Sequence, residues 1–481
     1  MITAIIGLLL PIGGAWLALR ALRLRTAADS ALVTVAVAIG VGLAVSSVVT
    51  FWCAVLGISI GSRFAVVDAL VWSSIGVTAL WAGRAGRAGR RSPADSPNEE
   101  AQASSPSRLT VVDWLLRAAF VVVAAIALGT VVAHYRVSPH GEWDAWAIWN
   151  QKARFLVRDD TQWTGMFSTR GMIGGHPLLV PLSVARLWAY AGSETTLVPA
   201  MLGILWGAGI VAAVVGAFGT HDRRAWLAGS VVMAPAVFPQ LMAAQTADLA
   251  IGFFAVATLA MLRSAAASAD PRDAWRSLLL TGVLASAAAW TKNEGLILIA
   301  ATTLVLAWVT LRRRAVFTTS WFAAGAVPIS ATVLYFKVVL APLLPGYMSE
   351  AQTPADILAR LVDPARHALV SGLVYRHWMA WGGPLATGIL PLMMAAAVVA
   401  ACRRAGRSER PLLAVGVMML AAYYTVWVFS PSPTEWLVRI TFDRLLMQLW
   451  PTLVVAAFCW VAGDTPSPEA AAVAVPGDPR G

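Results

Sequence analysis

Apolar runs recur along most of this chain, separated by short polar breaks rich in arginine. A hydrocarbon layer about 30 Å thick is crossed by a helix of roughly 20 apolar residues. The pattern predicts spans near 2–19, 31–57, 64–82, 111–132, 197–218, 225–242, 246–262, 277–290, 295–311, 317–340, 384–402, 411–429 and 444–462. The predicted fold class is all-α: a polytopic transmembrane helical bundle of about 13 spans, with a long loop at 133–195 that contains interfacial helices. Segment 178–192 reads as either interfacial or membrane-embedded.

Composition agrees with this reading. The 481 residues are 58% hydrophobic and 13% charged, with mean hydropathy +0.70, where soluble domains carry about 25% charged residues. The formal charge of +11 does not point to nucleic acid. Its arginines cluster in alternate short loops: Arg20, Arg23 and Arg25; Arg84 to Arg91; Arg223 and Arg224; Arg263, Arg272 and Arg276; Arg312 to Arg314; Arg403 to Arg410. Short basic loops mark the cytoplasmic side. That parity sends segments 133–195, 243–245, 291–294, 341–383 and 430–443 outside. The expected location is the inner (plasma) membrane, with any site on the extracytoplasmic face. Cys53, Cys402 and Cys459 all lie in apolar runs, so no disulfide framework is implied.

Four parts are expected: a three-span module (1–82), a Gly-, Arg- and Ser-rich cytoplasmic linker without structure (83–109), a ten-span module (110–462) and a Pro/Ala-rich tail (463–481).

The unusual polar residues gather in the segments assigned outside. Glu142 and Asp144 follow the fourth span directly, and Trp143, Trp146 and Trp149 recur at a spacing that would line one face of an interfacial helix. A carboxylate near a low-dielectric surface is a candidate general base, with Lys152 and Arg154 nearby to bind an anion. His176 precedes Pro177, which disfavours helix there. Asp159-Asp160 resembles a metal-binding pair but reads as solvated. Asp248 opens a span, where the helix dipole favours an acid. Lys292, Asn293 and Glu294 sit between two apolar runs with almost no room for a loop, which points to a polar cavity. Arg439 and Arg444 open the last span, where the dipole disfavours a cation, so Arg444 calls for an anionic partner. No Walker loop, HExxH, GxSxG or CxxC pair appears in a supporting context.

At these residues the chain resembles the GT-C superfamily of integral-membrane glycosyltransferases, in the branch of protein O-mannosyltransferases and aminoarabinose transferases. The likeness covers roughly 111–462 and rests on Glu142-Trp143-Asp144, Trp146 to Arg154, His176-Pro177-Leu178-Leu179, Ala247-Asp248-Leu249, Thr291 to Gly295, and Arg444-Leu445-Leu446 before Pro451. It implies transfer of a hexose or pentose from a polyprenyl-phosphate carrier to an extracytoplasmic glycan, lipid or protein, with inversion. Asp144, with Glu142, would be catalytic; Lys152, Arg154, His176, Asp248, Lys292, Asn293, Glu294, Arg439 and Arg444 would bind substrate. The chain departs from the pattern in its three extra leading spans, in lacking an adjacent acid pair at the loop start, and in having His176 where relatives carry tyrosine. Metal ligands stay unassigned, with Mg or Mn the candidate ions. The alternative is a transporter or lipid-linked sugar flippase, with Asp248, Lys292 and Glu294 as a polar relay.

Overall fold

The computed structural model describes residues 1–22, 30–88, 109–167, 174–268, 274–313, 316–341, 353–383, 387–404 and 409–460. Within them the chain is helical and carries no strand. Backbone groups in hydrocarbon must be satisfied internally, and a helix does that within one segment.

The chain opens with α1 (Ile2–Ala21), α2 (Ala31–Val55), α3 (Ser62–Ala88) and α4 (Val111–Val137). A π-helical turn (Ala145–Trp149) leads into α5 (Asn150–Arg158), a 3-10 segment (Asp160–Phe167) and α6 (Leu179–Ala191). Then come α7 (Leu197–Gly216), α8 (Arg223–Met233), α9 (Val237–Ala244), α10 (Asp248–Ala267), α11 (Trp275–Thr291), α12 (Glu294–Arg313) and α13 (Val316–Tyr335). A second π-helical turn, Phe336–Leu340, prolongs α13. The chain finishes with α14 (Pro354–Leu361), α15 (Pro364–Ala380), α16 (Ile389–Arg404), α17 (Arg410–Phe429) and α18 (Thr434–Trp460).

Among the described residues ten helices are long and apolar enough to cross a membrane, or eleven if α8 and α9, bent by 67° at their break, count as one span. This is fewer than thirteen because α11 and α16 are shorter, at 17 and 16 residues. The last helix also differs from expectation. It starts at Thr434, so Arg444 lies well inside α18 rather than at its start. The dipole argument for Arg444 therefore fails. Its partners, described below, are what require it.

Segment 178–192 forms α6, which is packed inside the protein, with Leu179 to Ala189 buried continuously. A buried ion pair ties it to the leading spans, with Arg186 Nη2 2.5 Å from Asp68 Oδ2 and Arg186 Nη1 donating to Gly7 O at 2.7 Å. Tyr190 donates to the same Asp68 oxygen at 2.6 Å. The C-terminal end of α2 meets α11 and α13 through aromatic edges: Phe51 lies 5.1 Å from Trp290 and 6.2 Å from Tyr335. In the segment 341–383, α14 and α15 pack on α17 and α18; residues 342–352 lie outside the described residues, as do 89–108 of the linker and the whole tail 463–481.

Candidate functional site

The site forms where the segment after α4 is pinned onto the break between α9 and α10. Glu142 N donates to Ala244 O at 3.2 Å. Gly141 makes this docking possible: its φ is +75°, and a Cβ there would lie 2.6 Å from Ala244 O. Gln245 braces the joint in a left-handed conformation, φ 58°. Its amide donates to Pro139 O at 3.0 Å and accepts from Asn150 Nδ2 at 3.1 Å. The segment is thus held on both sides of Asp144.

Asp144 projects toward Arg444, whose Nη2 lies 2.6 Å away. The same guanidinium grips Asp248, with Nε at 2.9 Å and Nη2 at 2.8 Å from Oδ2. Asp248 is the first residue of α10 and is 0% exposed. It also accepts from Lys292 Nζ at 2.9 Å, Gln448 Nε2 at 3.1 Å and Thr246 Oγ1 at 3.0 Å. A buried carboxylate is tolerable only when paired and fully hydrogen-bonded, and Asp248 meets both conditions. Lys292 continues the chain of charge to Glu294 Oε1 at 2.8 Å.

The hairpin between α11 and α12 delivers Lys292 to that position. Lys292 is extended (φ −157°, ψ 159°) between the helices. Gly295 lets the next helix start at once, since a Cβ there would lie 2.0 Å from Ala288 O. Deeper in the bundle, Tyr423 donates to Gln448 Oε1 at 2.7 Å, fixing the amide so that its NH2 faces Asp248.

A second polar group lies beside the first. Lys152 is 0% exposed, and its Nζ donates to His176 O at 2.8 Å. Lys337, in the second π-helical turn, donates to Gly175 O and, at 2.7 Å, to Asn293 Oδ1. The Trp149 and Phe167 rings lie 6.0 and 5.8 Å from Lys152 Nζ, and Phe336 5.9 Å from Lys337 Nζ. Burial, then the Lys337 charge, pulls the Lys152 ammonium well below its ordinary pKa. Burial and then the charges of Lys152, Lys292, Lys337 and Arg444 lower His176 to about 3. The imidazole is therefore neutral.

Of the residues singled out from sequence, the structure brings together Asp144, Lys152, His176, Asp248, Lys292, Asn293, Glu294 and Arg444. Three others lie elsewhere. Glu142 turns away from the cluster to His134 Nε2, 3.1 Å off, and is 59% exposed. Arg154 stacks over Trp188 and approaches Glu194 at 3.5 Å. Arg439 is exposed on α18, about 140° around the helix from Arg444 at 100° per residue. The three tryptophans do not share a face either. Trp143 and Trp146 are 54% and 50% exposed with rings 6.0 Å apart, whereas Trp149 is 1% exposed. The π-helical winding after Asp144 breaks the spacing that a regular helix would give.

Sequence reasoning missed Lys337, Gln448 and Tyr423. Lys337 did carry a signal: it is a lone cation inside an apolar run, and such residues are costly and rarely idle. Gln448 and Tyr423 carried none, because a neutral polar residue in a span is unremarkable until its partner is known.

Among the described residues no three His, Cys, Asp or Glu side chains come together to hold a metal. The carboxylates at the site are each already opposed by a cation, so Mg or Mn finds no carboxylate set there and the residues do not fit such an ion. A surface groove of about 670 Å³ is lined by Trp143, Trp146, Gln151, Arg154, Phe155 and Arg158, and Asp144 is not among its lining residues. Compared with family models, curated proteins and solved structures, the chain matches none of them. The site has to be read from its own chemistry.

Proposed function

We propose that this chain is a membrane glycosyltransferase that passes a sugar from a polyprenyl-phosphate carrier to an acceptor outside the cytoplasm. The observation that supports it most is the contrast between two acids sharing one guanidinium. Asp248 is closed off and saturated with donors. Asp144, 24% exposed and 2.6 Å from Arg444, is held in place yet reaches solvent.

In this reading Asp144 takes the proton from the acceptor hydroxyl. The acceptor oxygen bonds to the anomeric carbon from one face, the bond from that carbon to the phosphate oxygen breaks on the other, and configuration inverts. The polyprenyl phosphate leaves with the electron pair, its charge stabilised by the surrounding cations. Arg444 positions the base, and Asp248 positions Arg444 and Lys292. Trp143 and Trp146, which flank Asp144 in the chain, offer exposed indole faces for an acceptor to approach along. No step runs through a metal.

The test is transfer by purified full-length protein from a panel of labelled polyprenyl-phosphate sugars. Wild type should transfer one of them, and Asp144→Asn should lose about 10²–10⁴-fold in rate with little change in thermal midpoint. Near-normal turnover by the variant would remove Asp144 from the mechanism. A second reading, a transporter or lipid-linked sugar flippase, draws on the buried run Asp248–Gln448–Tyr423, which carries polarity into the bundle. Movement of a labelled lipid-linked sugar across vesicles, with no transfer from any donor, would favour it.

A further inference from the structure

The cations at the loop end fall into two classes. Arg444 touches Asp144 and Asp248, and Lys292 touches Asp248 and Glu294. Both are answered by carboxylates. Lys152 and Lys337 instead meet only neutral oxygens among the described residues: His176 O, Gly175 O and Asn293 Oδ1. An ammonium removed from water without a counter-charge is strongly unfavourable, which with the neighbouring Lys337 charge is what lowers the Lys152 pKa, and an anion seated against the two lysines would hold both protonated. We propose that Lys152, Lys337 and the Gly174–His176 turn form a phosphate-binding site, with Asn293 at its edge.

Several features fit a small oxyanion there. An ammonium has three donors; Lys152 spends one and Lys337 two on the contacts above. His176 Nδ1 is buried and has no hydrogen-bond partner among the described residues. Asn293 accepts through Oδ1 from Lys337, which leaves its NH2 to donate. The rings of Trp149, Phe167 and Phe336 beside the ammonium groups give each positive charge a π-face. The neutral His176 ring, depressed by burial and four cations, reports a positive field at the turn. Lysine binds phosphate as a point charge without a fixed geometry, which suits a tetrahedral anion held by groups on three separate elements. Lys292 and Arg444 are already opposed by carboxylates, whereas Lys152 and Lys337 meet none among the described residues.

The inference rests on charge placement and not on sugar transfer, so it is tested by binding alone. Full-length protein in nanodiscs is titrated with radiolabelled polyprenyl monophosphate in one arm and inorganic phosphate in the other. Lys337→Gln, at a half-buried position, should weaken binding about tenfold or more, the usual loss for a charge-assisted hydrogen bond. Lys337→Arg should keep it within a few-fold. Asn293→Asp is the second variant: Asn293 is exposed, so the fold should tolerate the change, and the new carboxylate 2.7 Å from Lys337 should neutralise the site and weaken binding similarly. Binding of the lipid phosphate alone assigns the site to a headgroup; binding of inorganic phosphate as well, in competition, assigns it to the phosphate group itself. If wild type binds neither anion, or if both Lys337→Gln and Asn293→Asp bind like wild type, the lysines are clamps on the turn and the proposal fails. Phosphate binding with no transfer from any donor keeps the site and discards the transferase.

Discussion

Arg444 holds Asp144 and Asp248 in one grip, 2.6 and 2.8 Å from Nη2, joining a loop carboxylate to one sealed in the bundle. The first acid meets solvent and the second does not. One cation therefore sets the position of a solvent-reaching carboxylate by anchoring on a sealed one.

Asp248→Asn should leave Lys292 and Arg444 short of their shared counter-charge. Removing one partner of a buried ion pair costs about 3–5 kcal/mol, so the thermal midpoint should fall markedly. Asp144→Asn, at a partly exposed acid, should barely move it. Equal midpoints for the two variants would show that Asp248 is not the anchor.

Gly141→Ala should loosen the segment that carries Asp144. It combines φ +75° with a Cβ 2.6 Å from Ala244 O, and the left-handed conformation alone costs an L-residue roughly 1–2 kcal/mol. Limited proteolysis of the 133–195 segment should speed up. Gly129→Ala, in α4 with nothing within 4 Å of its Cβ, is the control and should cut like wild type. Unchanged cleavage in Gly141→Ala would mean that the segment is held by other contacts.

His176 is depressed to about 3 by burial and neighbouring cations, against about 6.5 in an unfolded chain. Below pH 6.5 the unfolded chain takes up a proton that the folded protein refuses. Stability should thus be full above pH 6.5 and fall as pH drops from there toward 3, by at most about 1.4 kcal/mol per unit for this one group. Unfolding midpoints between pH 7 and pH 5 should fall further for wild type than for His176→Gln. Parallel curves would remove His176 from the pH response.

Sidedness is tested with Val137→Cys, 88% exposed at the end of α4 nearest the site, and His221→Cys, exposed beside α8 at the opposite end. With the three native cysteines replaced, an impermeant thiol reagent outside intact cells should label the first and spare the second. The reverse pattern would turn the site toward the cytoplasm.

The helices were legible from sequence because hydropathy is a local property, and runs such as 31–57 and 197–218 need no partner to announce themselves. Asp248 and Lys292 were legible as candidates for the same reason: charge beside hydrocarbon is costly enough to stand out. Which charge meets which was not written there. The apolar pattern places Arg444 at a helix start, yet what holds it is Asp144 and Asp248, brought to it from distant segments. Glu142 and Asp144 looked equivalent two residues apart, and only the docking of Gly141 on Ala244 and the π-helical turn after Asp144 sent them to different neighbours. Lys337 passed as one polar residue in a span until the fold set it against Gly175 and Asn293. Local sequence determined that the chain is a helical membrane bundle with ionisable groups at the ends of its spans. Tertiary structure alone decided their pairing, because an ion pair depends on a few ångströms between segments far apart in the chain, and no local pattern encodes that distance.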